Sequence, residues 1–361
     1  MSIKSSVAFI TVSAVRPSMI ECDVLIVGGG LSGLATAKGL RGSGLKVVVL
    51  ERMSDAVYRR YHTICGEAIS DRMFRKAGME PTAVVRRVDA IALRFGDEEV
   101  TIPVQGSIVD RNDLLIQLAS ECDVERLRGT ATGVDVGDGG YIVHTTAGDI
   151  SCRILVGADG AHSVVRRDVF GSEPGEMIPL VNNIVRGESD GKLRFIMSER
   201  FKGAYRWEFP QKEGMMTIGY PKGTDDVVGY ESRGGRHMPI GRLPCVARDG
   251  CYLVGDAGSL ANPFCFGGIG AALVSGRKAA EAILRGNPGS YDRWVSKDRM
   301  FDRHYMEAHR RFSEYSDDDI SRLMGPLVKK YSVPRGFLAI LRNPHEANVY
   351  MCCWLGFRDG W

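Results

Sequence analysis

Residues 23–52 read DVLIVGGGLSGLATAKGLRGSGLKVVVLER, from Asp23 to Arg52, and this stretch decides the fold. Four apolar residues, Val24 to Val27, run into Gly28-x-Gly30-x-x-Gly33. A helical pattern through Ala37 and Leu40 follows. Gly44 then turns the chain into a second apolar strand, Val47 to Leu50, which ends on Glu51. Each part has a task in dinucleotide binding. Gly28 permits the tight turn, Gly30 lets the backbone approach a pyrophosphate, and Gly33 lets the helix pack on the strand. The helix N-terminus offers N–H groups and a positive dipole end to phosphates. A carboxylate at Glu51 can accept ribose hydroxyl hydrogen bonds, which fits FAD or NAD rather than NADP.

The composition sets the frame for that motif. A chain of 361 residues is long enough for about two domains and a large core. Its 44% hydrophobic and 25% charged residues describe an ordinary folded protein, and a net charge of +3 gives no argument for nucleic acid. The nine cysteines include no C-x-x-C pair, so neither a zinc site nor an iron–sulfur cluster is indicated and no metal is expected. Their odd, scattered count suits free thiols in a reducing cytoplasm. Lys4 and the following SSVAFITVSAV resemble a short signal peptide. The favoured reading of residues 1–18 is instead a disordered extension, or an upstream start codon ahead of Met19. No run of about 18 apolar residues is present to span a membrane.

Beyond residue 52 the patterns alternate. YRRYHTICGEAIS (58–70) reads as a loop entering a helix, and 88–95 with 99–104 read as two antiparallel strands. VDRNDLLIQLASEC (109–122) reads as a strand end and an amphipathic helix with Asn112 as its N-cap. Three short strands are expected over 131–155, a β-rich region over 178–221, Gly-rich loops over 223–235 and mostly helix from about 290. The α/β blocks separated by β-rich insertions imply one doubly wound nucleotide domain interrupted by a sheet-rich domain. The expected boundaries are 19–76, 107–171 and 245–290 for the discontinuous Rossmann-like domain. Residues 77–106 and 172–244 would form an inserted antiparallel-sheet substrate domain, and 291–361 a C-terminal helical region.

Two further segments turn a generic nucleotide fold into a flavoprotein argument. ILVGADGAHSVVRR (154–167) and YLVGDAGSLANPFCFGGIGAAL (252–273) are each a buried strand ending in Gly157-x-Asp159-Gly160 or Gly255-Asp256. Asp256 suits a ribityl or ribose hydroxyl, and the helix opening at Gly268-Ile269 aims N–H groups at charge that develops on a reduced flavin ring. Either turn alone is an ordinary place for Asp and Gly.

In this order, and with Arg111, these motifs resemble those of the FAD proteins built like aromatic hydroxylases. Within that group the chain most resembles the geranylgeranyl reductases, including the archaeal digeranylgeranylglycerophospholipid reductases, over about residues 20–290. The narrower likeness lies in Cys65-Gly66-Glu67-Ala68 and in Tyr205-x-Trp207-x-Phe209-Pro210, similar to the family's Y-x-W-x-F-P. Lys202 stands where a proline is usual. The family's N-P-x-x-x-G-G-I appears as Asn262-Pro263-Phe264-Cys265-Phe266-Gly267-Gly268-Ile269, with bulkier central residues than usual. The resemblance implies FAD contacts from Ser32, Glu51, Cys65, Gly66, Ala68, Arg111, Asp256, Gly268 and Ile269, and from Ala131 by its spacing from Arg111. Gly28, Gly30 and Gly33 would complete the cofactor set. Cys65, Tyr205 and Trp207 are the catalytic candidates.

Tyr205, Trp207 and Phe209 alternate, so on a strand they share one face and either line an isoprenoid slot or form the sheet's core. Cys65 is either an inert buried thiol or a group in ring contact and substrate chemistry. Arg59, Arg60 and His62 read as a solvated basic loop, with an anionic head group as the rival reading. Cys352, Cys353, Trp354, Phe357 and Trp361 either touch lipid or pack the C-terminal helix.

The resemblance implies an enzyme that uses FAD to saturate C=C bonds in isoprenoid chains of membrane lipid precursors, with the proton coming from Cys65 or water. No second complete nucleotide fold is visible, so a ferredoxin, a deazaflavin or transient NAD(P)H would be the electron donor. The rival reaction is a flavin monooxygenase or halogenase. Halogenases share a W-x-W-x-I-P segment but need a lysine near the flavin loop, where this chain has Cys65-Gly66. A non-catalytic FAD scaffold is the third reading. The expected location is the cytoplasm, with peripheral membrane contact as a variant of it.

Overall fold

The computed structural model describes residues 19–212, 214–224 and 227–361. The reading of residues 1–18 therefore lies outside the described residues. Strand Ile20–Val27 is central, because Val24, Leu25 and Ile26 are fully buried and both edges of the strand are paired. It runs parallel to Val47–Glu51 on one side and to Ile150–Gly157 on the other. Glu125–Arg128 extends the sheet beyond Val47–Glu51, and Cys251–Leu253 extends it beyond Ile150–Gly157. A hairpin of Ala131–Gly137 and Gly140–Thr145 joins the antiparallel side of Ile150–Gly157.

Helix Leu31–Gly39 covers one face of this sheet and lies against helix Ile269–Leu284. The two helices approach closely because the crossing residues are small: a Cβ on Gly276 would sit 2.4 Å from the Ser32 carbonyl oxygen. This is the α/β, Rossmann-like FAD-type architecture that the sequence predicts, assembled from separated pieces of chain.

The second sheet runs in the order Ser232–Ile240, Glu176–Arg186, Met215–Pro221, Arg206–Pro210, Leu193–Ile196, Val84–Phe95, Glu98–Val109, Lys329–Lys330. Short strand Ala68–Ser70 pairs with Glu98–Val109 and so connects the Cys65–Glu67 loop to this sheet. Pairing is antiparallel except where Leu193–Ile196 lies beside Val84–Phe95 and Lys329–Lys330 beside Glu98–Val109. C-terminal helices complete the core of this half. Helix Arg303–Ser313 buries Tyr305, Met306 and Phe312, and helix Asp317–Met324 buries Ile320, Leu323 and Met324.

Three local expectations are corrected. Residues Asp55–His62 form a helix rather than a loop, and helix Asp71–Lys76 follows strand Ala68–Ser70. The first of these helices buries only Tyr58 and His62, four residues apart, so its apolar stripe is too thin to see in sequence. Asp55 in its first turn and Arg59, Arg60 and His62 in its last complement the helix dipole. The N-cap of helix Arg111–Ser120 is Asp110, whose carboxylate accepts from the Asn112 and Asp113 N–H groups, so Asn112 is already inside the helix. The glycines at 234 and 235 lie within strand Ser232–Ile240, not in a loop. A Cβ on Gly234 would meet the Ile64 side chain at 2.5 Å, so glycine there makes room for a packing neighbour.

The first turn is the tightest point of the structure. Gly28 has φ +107°, and a Cβ there would lie 2.3 Å from the Ala158 carbonyl oxygen. A Cβ on Gly33 would lie 2.0 Å from the Gly28 carbonyl oxygen, which is backbone and has no rotamer to escape into. Gly33→Ala is therefore expected to lower stability by about 1–3 kcal/mol and to yield protein that loses its flavin on gel filtration. Denaturant midpoints and the 450 nm absorbance of the purified variant, taken as a rough flavin marker, check both.

Candidate active site

The parallel strands end side by side, with Val27 opposite Leu50 and Gly157, and Gly157 opposite Leu253. Loops leaving these ends enclose a cavity that reaches across to the second sheet. Helix Leu31–Gly39 opens on this cavity at Gly30, and helix Ile269–Leu284 opens on it at Gly268; neither N-terminus has a side-chain cap. Two helix ends thus present positive dipole ends and N–H groups to one space.

Glu51 closes the far side. Its carboxylate is 5% exposed and accepts from the Gly29 N–H at 2.9 Å and the Met53 N–H at 2.8 Å. The Tyr58 hydroxyl donates to the Gly29 carbonyl at 2.5 Å, so the glycine turn is held from both sides. Arg111 is 7% exposed, and its buried Nε has no hydrogen-bond partner among the described residues. A buried cationic donor left open in this way calls for an anionic or polar ligand.

Every residue assigned to the cofactor from sequence lines this cavity except Gly33: Gly28, Gly30, Ser32, Glu51, Cys65, Gly66, Ala68, Arg111, Ala131, Asp256, Gly268 and Ile269. Gly33 lies behind the turn, packed against Gly28. The cavity passes from a polar end to an aromatic wall in which Tyr205, Trp207 and Phe209 all take part.

The three aromatics are fixed by specific contacts. The Tyr205 hydroxyl donates to the Cys265 carbonyl at 2.5 Å, and its ring stacks on Phe266 at 5.2 Å between centroids. Burial pushes the Tyr205 phenol well above its usual pKa, so it stays neutral. Trp207 Nε1 donates to Asn182 Oδ1 at 3.3 Å. Its ring fills the space over Gly219, where a Cβ would come within 1.8 Å of it. Phe209 packs over Gly66, whose absent Cβ would touch the ring at 2.7 Å. The row therefore belongs to the sheet's core and to the cavity wall at once.

Four wall residues carry chemistry that local motifs leave unassigned or assign differently. Glu67, adjacent to Gly66, is 8% exposed with φ +58°. Its carboxylate accepts from the Arg111 N–H at 3.1 Å and from Gln211 Nε2 at 3.0 Å. Burial outweighs those bonds and pushes its pKa up to about 7. Arg236 meets Asp256 at 3.2 Å, and its guanidinium lies 5.1 Å from the Tyr61 ring centre. Its partners lie far away in sequence, and no local motif marks it.

His62 is buried between Tyr58 and Tyr61 beside Gly30, not in a solvated loop, whereas Arg59 and Arg60 are exposed. Burial, with Arg111 and Arg236 nearby, lowers the His62 pKa well below its usual value and keeps it neutral. Trp361 reaches the cavity as well. Its carbonyl accepts from the Ser70 N–H at 2.9 Å, and its ring takes the place of a Cβ on Gly106. Cys65 Sγ accepts from the Glu67 N–H at 3.4 Å.

Comparison with known proteins agrees with this geometry. Residues 21–91 match the family model described as an FAD binding domain. The chain is 28% identical over 373 residues to digeranylgeranylglycerophospholipid reductase 2 of Methanopyrus kandleri, covering 86% of this chain and 91% of the relative. Among solved structures it resembles a geranylgeranyl bacteriochlorophyll reductase-like protein from Thermoplasma acidophilum. That match has a TM-score of 0.75 and 20% identity, and covers 91% of this chain and 98% of the other. An anhydrotetracycline hydroxylase from Streptomyces rimosus shares the fold at a TM-score of 0.64 and 18% identity, over 94% of this chain and 76% of that one. The likeness to the geranylgeranyl reductases seen in the motifs thus extends over most of the chain. The protein is an FAD-dependent oxidoreductase. Its residues fit the cofactor: two uncapped helix ends, an open buried arginine and the Glu51 carboxylate converge on one cavity.

The Glu67 carboxyl gives a pH signature. Its folded pKa of about 7 lies above the usual 4.5, so the folded state holds the proton more tightly than the unfolded state. Stability from this group is present below about pH 4.5 and is lost as pH rises to 7, on the order of 3 kcal/mol in all. Glu67→Gln is expected to flatten that part of the curve and to melt higher than wild type at pH 8. Thermal midpoints of both proteins from pH 5 to 8 test this.

Proposed function

We propose that this protein saturates carbon–carbon double bonds in isoprenoid chains, those of geranylgeranyl-bearing lipid precursors in particular. The observation that carries the reading is the continuity of one cavity, from the glycine turn and Arg111 to the wall of Tyr205, Trp207 and Phe209. A prenyl chain is a thin, branched, apolar object without hydrogen-bonding groups. A wall of aromatic rings whose polar atoms are already engaged suits it. The name of the Methanopyrus relative supports the same substrate class.

Reduced FAD supplies the hydride when bound. The chain's own part is to hold, orient and protonate. The N-terminus of helix Ile269–Leu284 directs N–H groups at the cofactor end of the cavity, where negative charge is best stabilised. Tyr205 is a positioning group, because its proton is committed to the Cys265 carbonyl. Trp207, with its N–H on Asn182, offers ring carbons to the substrate. The Cys65 thiol or a water molecule protonates the second alkene carbon. Glu67, in the same loop and protonated up to about pH 7, replenishes that proton. Electrons arrive from a separate donor, and ferredoxin, reduced deazaflavin and NAD(P)H are to be compared directly.

The fold is shared with a hydroxylase, so oxygen chemistry is the reading to test against. Dithionite-reduced holoenzyme mixed anaerobically with a geranylgeranyl lipid should reoxidise and give a product with two added hydrogens per bond. A flavin that stays reduced until oxygen enters, with an oxygenated product, would establish the monooxygenase instead. Reoxidation by neither would leave a non-catalytic flavoprotein. Trp207→Ala is expected to lower kcat/KM for the prenyl substrate by roughly tenfold or more with flavin content unchanged, as steady-state kinetics would measure.

A further inference from the structure

Helix Val333–Arg342 carries its side chains the opposite way round from its neighbours. Val333, Phe337, Leu338 and Leu341 are 66%, 62%, 46% and 61% exposed, while small Gly336 and Ala339 face the protein. The adjoining helices Arg303–Ser313 and Asp317–Met324 bury their large apolar residues in the usual manner. At about 100° per residue the four large side chains fall within one arc of roughly 140°. Exposed Arg342 and Arg335 border that arc beyond Leu338, and the helix sequence VPRGFLAILR has no acidic residue. An apolar row edged by arginine on one side, on a helix without a carboxylate, is complementary to an anionic lipid surface.

The position of the helix fits that surface. Ala339 belongs to the same apolar core as Tyr205 and Trp207. Tyr331, just before the helix, stacks on Trp354 with ring centres 3.7 Å apart. Phe357, on the same helix as Trp354, packs against Phe195 and Tyr205. The helix thus lies against helix Ala347–Asp359, which itself packs on the aromatic wall. Among the described residues no helix is long and apolar enough to cross a membrane, so contact through this helix would be interfacial.

We propose that helix Val333–Arg342 is a membrane-docking element that lies in the headgroup region of an anionic bilayer, with Phe337 and Leu341 among the acyl chains. This placement rests on the prenyl-lipid reading above and names the face through which that reading meets its substrate's solvent. Flotation of the holoenzyme with vesicles tests it without substrate, using phosphatidylcholine alone or with roughly one third phosphatidylglycerol. Wild type is expected to float with the anionic vesicles, and less so as salt rises. Phe337→Asp/Leu341→Asp should lower the bound fraction about tenfold or more. Arg342→Gln should weaken binding to anionic vesicles only. The milder Leu341→Gln, which keeps helix propensity, should move in the same direction as the aspartates.

All variants should keep their flavin and turn over a detergent-dispersed prenyl substrate at the wild-type rate. Flotation unchanged by the aspartates would overturn the proposal. So would a lipid-free homodimer that the aspartates convert to monomer without any vesicle binding by wild type, because a second copy would then be what covers the row. Loss of flotation and loss of anaerobic turnover are separate readouts, so either reading can fail alone.

Discussion

Four parallel strands that stop on one line are the constraint from which the site follows. Val27, Leu50, Gly157 and Leu253 are held in register by ladder hydrogen bonds, and the chain must leave each end in a loop. Those strand ends and loops carry the glycine turn, Glu51, Asp159 and Asp256. Nothing else brings these residues together, since they come from positions spread over more than half of the chain. The same register brings two helix N-termini to a single space, an arrangement that leaves polar groups unsatisfied until an anionic partner arrives.

The second sheet is joined to the first through short covalent and packing links, and these decide what kind of ligand the far end accepts. Strand Ala68–Ser70 leads directly from the Cys65–Glu67 loop into the ladder of the second sheet. Phe209 rests on Gly66, and the Tyr205 hydroxyl holds the Cys265 carbonyl next to the second helix opening. The aromatic row is therefore registered against the cofactor end by direct contacts. A shift of either sheet would disturb both ends of the cavity.

Much of this was legible in the sequence because it rests on local patterns. Apolar runs ending in glycine gave the strands of the first sheet, and the spacing Gly28, Gly30, Gly33 marked the turn. The alternation of Tyr205, Trp207 and Phe209 placed them on one face. What was hidden depends on partners distant in the chain. Helix Asp55–His62 is mostly polar because only Tyr58 and His62 find a buried neighbour. Strand Ser232–Ile240 reads as a loop since it is an edge strand with paired glycines, arginines and a proline, residues that suit an edge and obscure alternation. The raised pKa of Glu67 comes from burial by the folded chain, which outweighs the hydrogen bond from Gln211, 144 residues away. Arg236 acquires its meaning only from Asp256 and Tyr61.

The uncapped helix ends and the open Arg111 also bear on how the protein is maintained. A cradle that gathers positive ends without a partner favours the unfolded chain, and the bound cofactor removes that penalty. Ligand that binds only the folded form adds stability as the logarithm of its free concentration, about 2.7 kcal/mol at a hundredfold excess over Kd. Folding stability is thereby coupled to flavin: the cofactor that the cradle holds also holds the cradle's strand ends and helix termini together.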